Sequence, residues 1–237
     1  MEHPSEAPIQ LRPGSLIANG LRDLFRPPLG LLLLIDLLIF GALASLSDQV
    51  DGASLFGAIL LTVVSAFVQI ALTLAAASEE RRSADEWVKL AFKRGVFWRF
   101  ILTGIVTMVA VFVGLLALVI GGLILGAMLG LALTVAIQER VWPSPAIRRS
   151  IALSKGHRMP IGSIFAITFI LPNALLQAGA QLRWERELGL AWDALGAIAT
   201  ILTLVGVVAL ARAYVALGGR PTEITPAAPP LRSSNEG

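Results

Sequence analysis

A single carboxyl group stands inside a long apolar run, Leu31-Leu32-Leu33-Leu34-Ile35-Asp36-Leu37-Leu38-Ile39-Phe40. If that run is a membrane helix, Asp36 lies about eight residues into it, ~12 Å deep at a rise of ~1.5 Å per residue. An ionisable group at that depth costs on the order of 3 kcal/mol or more and marks a functional site by default. Gln69 sits about as far from the cytoplasmic end of the next apolar run, so antiparallel packing brings it level with Asp36. Thr107 reaches a comparable level on the third run, and Asn173 lies somewhat deeper on the fifth. The four make a candidate polar cluster inside a bundle. Its chemistry would be that of a proton or solute site. The competing readings are a hydrogen-bonded acid that only fixes helix packing, and an acid that snorkels to the nearer surface.

The elements that must position this cluster follow from composition. Of 237 residues, 56% are hydrophobic and only 15% charged, against about a quarter charged in soluble domains. Mean hydropathy is +0.77. The apolar residues gather into segments that can cross a hydrocarbon core of ~30 Å. Six such segments are read at 29–47, 53–78, 98–119, 121–138, 161–181 and 194–216. The third and fourth nearly run together and are divided at Gly121-Gly122, where two glycines can supply a turn. The expected fold is therefore all-α: a polytopic membrane bundle of six transmembrane helices in three hairpins, occupying residues 14–217. Residues 1–13 and 218–237, rich in Pro, Ser, Thr and Glu, read as disordered tails. MEHPSEAPIQ is not a cleavable signal, so the first span would act as an uncleaved anchor.

Charge arbitrates the topology. With six spans and both ends on one side, 17 of the 19 Lys and Arg residues fall on that side, leaving only Arg183 and Arg186 opposite. Cytoplasmic loops concentrate Lys and Arg, so both termini should face the cytoplasm. Five spans would destroy the asymmetry.

Each hairpin is approached through a similar basic segment, beginning at Ser15, Ser83 and Ser144. Phe25-Arg26 matches Phe92-Lys93 at an offset of 67, and Lys93-Arg94-Gly95 matches Ser154-Lys155-Gly156 at 61. Such periods imply repeated supersecondary units. The middle copy is the clearest short amphipathic helix. Ser83 and Glu86 form a capping-box pair, Trp87, Val88, Leu90, Ala91 and Phe92 make an apolar side, and Lys89, Lys93 and Arg94 flank it. In the third copy Ser144 can cap and Pro145 suits the first helical position. Helices of this kind lie at headgroup level, so Arg94, Arg148, Arg149 and Lys155 are read as facing anionic headgroups. The alternative is a loop helix packed on the bundle, touching no lipid.

Two packing features complete the reading. Gly122, Gly126 and Gly130 are four apart on the fourth span, a pattern that lets helix backbones approach within the bundle or in a homodimer. Pro172 frees a carbonyl near residue 168 and would kink the fifth span. Arg212, at the cytoplasmic end of the last span, is read as snorkelling.

At Ala146-Ile147-Arg148-Arg149-Ser150-Ile151-Ala152-Leu153-Ser154-Lys155-Gly156 the chain resembles a known group. It is similar to the membrane domain attached to some bacterial glycerophosphoryl diester phosphodiesterases, and to its stand-alone relatives. A basic-basic-Ser, Leu and Lys-Gly stretch there similarly precedes the fifth of about six membrane helices. The resemblance covers roughly residues 15–216. It implies a multi-pass protein of the bacterial cytoplasmic membrane and no enzyme, since the phosphodiesterase chemistry of that family sits in a separate soluble domain with His and acidic metal ligands.

The remaining signals are negative. There is no Cys, the histidines are His3 and His157, and no phosphate loop, HExxH, GxSxG or paired carboxylates occur. No cofactor or metal is therefore expected. Basic residues follow the membrane edge, so nucleic acid is not a partner either. The expected partner is the bilayer, with a protein partner left open. Two classes of function remain: a structural or accessory membrane protein acting through its basic helices, or a small-solute, proton-coupled or lipid transporter working through the Asp36 cluster.

Overall fold

The computed structural model describes residues 11–219 apart from 48–51, 79, 81, 94–95, 118 and 182–189. The expected tails lie almost wholly outside these residues. The described residues form helices and no strand. In chain order they are α1 (Pro13–Leu24), α2 (Leu29–Ser47), α3 (Gly52–Ala77), α4 (Ala84–Lys93), α5 (Phe97–Ala117), α6 (Val119–Leu129), α7 (Ala132–Gln138), α8 (Pro143–Ser154) and α9 (Arg158–Phe165). A π turn at Ala166–Ile170 then leads into α10 (Leu171–Gln181), and α11 (Leu190–Ala216) ends the fold.

Among the described residues, four helical stretches are long and apolar enough to cross a membrane: Ile59–Ala77, Phe97–Gly114, Arg158–Gly179 and Ala191–Ala216. A fifth is added if α1 and α2, bent by 85° at Pro27-Pro28, count as one span. Only 22% of the Phe97–Gly114 and Arg158–Gly179 windows is buried in the protein, against 50% for the last helix. Apolar helices left so bare need apolar surroundings, and the chain accordingly reads as a multi-pass membrane protein.

The segment expected as the fourth span differs in two ways. Gly121-Gly122 lie inside α6 and not at a break with the preceding helix. The reason is packing: a Cβ on Gly114 would stand 3.1 Å from the Gly122 Cα, so Gly122 serves close α5–α6 contact instead of the turn. Further on, the segment is split into α6 and α7 by a turn at Gly130-Leu131. A Cβ on Gly130 would lie 2.9 Å from the Gly126 carbonyl oxygen and 3.3 Å from Ile161. Gly126 receives the Phe165 ring in the same way, with Cβ-to-ring distances from 2.6 Å. The three glycines thus make contacts within the chain, onto α5 and α9.

The core is centred on α11, which packs against α1, α3, α9 and the π turn. Its Leu204, Val205 and Val208 join α2, α3 and α4 in one apolar cluster, and its Ala209, Leu210, Ala213 and Tyr214 join α7, α8 and α9 in another. All three basic segments are helices, α1, α4 and α8, and each has a side turned to the bundle. Gly20 of α1 lies against Val205, Trp87 and Ala91 of α4 are buried, and so are Ala146 and Ser150 of α8. Phe25, Phe92 and Trp142 remain outward.

Arg212 does not stand free at the surface. Its guanidinium reaches the Asp23 carboxylate at 2.7 Å, which joins α1 to α11; Arg26 approaches the same carboxylate at 3.5 Å. A local acid within reach outcompetes the longer excursion to headgroups.

Pro172 acts as its chemistry requires. It has no N–H for the carbonyl four residues back, and the helix answers with the π turn instead of ending. The Thr203 hydroxyl, with one proton, lies 3.0 Å from the Ala199 carbonyl of its own helix and 3.4 Å from the freed Thr168 carbonyl, the second contact being the weaker. The bulged turn fits against Gly206, where a Cβ would overlap the Thr168 side chain and come within 2.7 Å of Phe169. Gly206→Ala is therefore expected to cost about 1–3 kcal/mol, as overpacking does. It would appear as a lower unfolding midpoint in detergent. Gly14→Ala, with nothing within 4 Å of the added carbon, should leave the midpoint unchanged.

Candidate functional site

The α2–α3 pair positions the centre of the site. Asp36 of α2 is only 4% exposed, and the Ser65 hydroxyl of α3 donates to its Oδ1 at 2.6 Å. One turn on, the Gln69 amide donates to Ser65 Oγ at 3.4 Å. After another turn, the Thr73 hydroxyl bonds back to the Gln69 carbonyl at 2.8 Å. Residues 65, 69 and 73 are four apart and share one helix face, so α3 offers a polar row in otherwise apolar sequence.

Two clefts flank that row. The smaller, of about 240 Å³, holds Asp36, Ser65 and Thr203 together with Phe40 and Leu204. The larger, of about 670 Å³, holds Thr73, Thr107, Phe112, Phe165 and Gln177 among others. Gln69 and Asn173 line both, so the two adjoin at these amides. Of the four residues read as a cluster, Asp36 and Gln69 are linked through Ser65, Asn173 faces both clefts, and Thr107 lies on the far side of the larger one. They line two clefts that share Gln69 and Asn173 as walls, without forming a single hydrogen-bonded group.

Asn173 donates its side-chain amide to the Phe169 carbonyl at 2.7 Å. Phe169 lies in the π turn, so the turn both creates the carbonyl geometry and aims Asn173. Thr107 differs from several other helical threonines. Thr73, Thr168, Thr200 and Thr203 each donate to the carbonyl four residues back. The Thr107 hydroxyl is buried and takes no protein partner, as is that of Thr103 one turn earlier.

Ser65 and Thr203 were not among the residues singled out from sequence. Ser65 carries a usable signal, since it lies four residues before Gln69. Thr203 carries none, because its partner depends on where Pro172 falls across the bundle. Buried Gln138, which donates to the Thr73 carbonyl at 3.1 Å and ties α7 to α3, was missed as well.

The basic residues are spread apart. Arg148 and Lys155 are exposed on and after α8. Arg149 is exposed too but pairs with Glu139 at 3.3 Å, and the Tyr214 hydroxyl donates to the same carboxylate oxygen at 3.1 Å. Arg94 lies outside the described residues. On α4 the Ser83 backbone N–H donates to Glu86 at 3.0 Å, half of the capping box. Asp85 is held at a pKa of about 2, first by the Ser83 hydroxyl and then by Lys89 at 2.9 Å. Its contribution is complete above the ordinary carboxylate range and fades only as pH falls towards 2. Among the described residues no three His or acidic side chains gather as metal ligands.

Removing the Ser65 donor strips Asp36 of its hydrogen bond. Ser65→Ala is expected to cost about 1–3 kcal/mol, seen as a lower unfolding midpoint, while Asp36→Asn keeps an accepting oxygen and should stay within about 1 kcal/mol of wild type.

No family model, curated protein or solved structure matches the chain.

Proposed function

We propose that this is a non-enzymatic multi-pass membrane protein that binds a solute inside its bundle, between the Asp36–Ser65–Gln69 row and α10. The observation that carries this reading is the pair of clefts meeting at Gln69 and Asn173, one of which reaches the Asp36 carboxyl. Asp36, though only 4% exposed, is one of the residues that line the smaller cleft. Concave sites with a mostly apolar wall and a few convergent polar groups are where small molecules bind.

The same proposal takes six spans, with α6 and α7 together forming the fourth and both termini cytoplasmic. The division of Lys and Arg supports it. A bacterial inner membrane, and kinship with the membrane domain of the phosphodiesterase type, belong to it as well, resting on residues 146–156. A purely accessory role is the second reading. It is favoured by exposed Arg148 and Lys155 beside exposed Trp142 and Met159, a combination suited to headgroups or to a partner.

The absence of Cys allows a direct test. In reconstituted vesicles, Ser65→Cys and Thr203→Cys are expected to react with a small hydrophilic thiol reagent, and Leu32→Cys, fully buried in the core, is not. Ser65→Cys as inert as Leu32→Cys would refute solute binding at Asp36 and leave the accessory role. Labelling of Asp48→Cys and Lys155→Cys from opposite sides is expected from the topology.

A further inference from the structure

On the solute-binding reading, we infer that the solute is a small organic amine. It is held as its ammonium against Asp36 in the smaller cleft, with its apolar body beside Phe40 and Leu43.

Charge sets the sign of the ligand. Among the described residues, Asp36 is the one ionisable side chain that borders the smaller cleft, and no Lys, Arg or His faces it. Ser65 takes its Oδ1 at 2.6 Å. Oδ2, unlike the Thr103 and Thr107 hydroxyls, is not sealed without a partner and is the oxygen left to the cleft. An anion would meet this carboxylate with no counter-charge. A neutral molecule would leave it uncompensated away from water, and a cation answers it.

Hydrogen bonding points the same way, because the donors around the cleft are already engaged within the chain. The Ser65 proton goes to Asp36, that of Thr200 to the Gly196 carbonyl at 3.0 Å, and that of Thr203 to Ala199 at 3.0 Å. Gln69 spends an N–H on Ser65 at 3.4 Å, and Asn173 one on Phe169 at 2.7 Å. A hydroxyl whose single proton is committed has only lone pairs to offer, and each amide still has its carbonyl oxygen. A primary ammonium is the complement, with three N–H groups and no acceptor. A buried ion pair is favourable only when its remaining protons also find acceptors. Here the hydroxyl and amide oxygens supply them.

Volume separates an organic cation from a bare metal ion. The cleft of about 240 Å³ has room for about eight waters at ~30 Å³ each, and a lone ion would leave most of it unfilled. Half of the lining is apolar, from Ile39, Phe40, Leu43, Leu176, Ala199 and Leu204. A small amine fills both halves, its head on the oxygens and its body on these side chains. The polar lining runs from exposed Asn173 to Asp36, only 4% exposed, so the ammonium is the end that goes in deepest.

The test is isothermal titration of the full chain in detergent at pH 7 with 2-phenylethylamine, which is protonated there as a lysine is. Saturable binding is expected, at least tenfold tighter than that of 2-phenylethanol, which has the same size and no charge. Asp36→Asn is expected to weaken the amine at least tenfold, the effect of losing one charge-assisted hydrogen bond, with its fold checked by its unfolding midpoint. Asp193→Asn removes an exposed carboxyl at the start of α11, outside the cleft, and should match wild type. Equal binding of the alcohol, no saturable binding of the amine, or a folded Asp36→Asn protein indistinguishable from wild type would each overturn the inference. The alcohol comparison needs no variant and stands even if Asp36→Asn fails to fold. If Ser65→Cys still reacts with the hydrophilic reagent in such a case, a solute site remains and only its amine class is wrong; if it is inert as well, the solute site itself is lost.

Discussion

The Thr168 carbonyl, left without its helical donor by Pro172, sets the geometry on which the site depends. In hydrocarbon a backbone oxygen has to find its partner inside the protein, and here Thr203 of α11 comes within 3.4 Å of it while also holding the Ala199 carbonyl at 3.0 Å. Reaching it widens the helix into a π turn, and the widened turn fits only because Gly206 has no side chain to meet Thr168 and Phe169. The same turn presents the Phe169 carbonyl to Asn173 and stands Phe165 and Phe169 together as one wall of the larger cleft. The Pro172-Asn173 pair and the Thr203 and Gly206 positions come from two separate helices, yet they solve a single hydrogen-bonding problem.

Around that knot α11 acts as the common post. Asp23–Arg212 and the Gly20 crossing hold α1 to it, Tyr214 reaches Glu139 between α7 and α8, and its upper half carries Leu204 and Val205 into the α2–α3–α4 core. Packing is thus dense around α11, while α5 and α10 keep much of their surface outward. The clefts open where these two sparsely packed helices face the polar row of α3. Tight packing on one side and bare helices on the other produce a bundle that encloses volume.

Much of this was legible in the residues. The long apolar runs gave the helices. The depth of Asp36 and Gln69 put them at one level, Pro172 located the freed carbonyl, and the three basic segments are helices. What escaped was whatever depended on partners distant in sequence. Arg212 reads as a snorkelling cation until Asp23 is seen to lie beside it. Arg149 reads as facing headgroups, and its ion pair with Glu139 is seen only in the fold. Gly121-Gly122 looks like a turn because glycine permits turns, but Gly122 is needed for the approach to Gly114. The break at Gly130-Leu131 follows from contact with Ile161, which no local pattern announces. Ser65 is the instructive omission, since a polar residue four positions from Gln69 on an apolar helix could have been found by spacing alone.

The clefts give physical content to a polar cluster that sequence could only locate by depth. Asp36 lines one cleft, Thr107 the other, and Gln69 and Asn173 line both. The most direct measurement of this account is an experimental density map of the protein in lipid nanodiscs. It should show the groove between α5 and α10 open along Phe100–Phe112, and a path past Gln69 to Asp36. A map in which Phe112 closes on Phe169 and Phe40 seals Asp36 behind apolar side chains would contradict it.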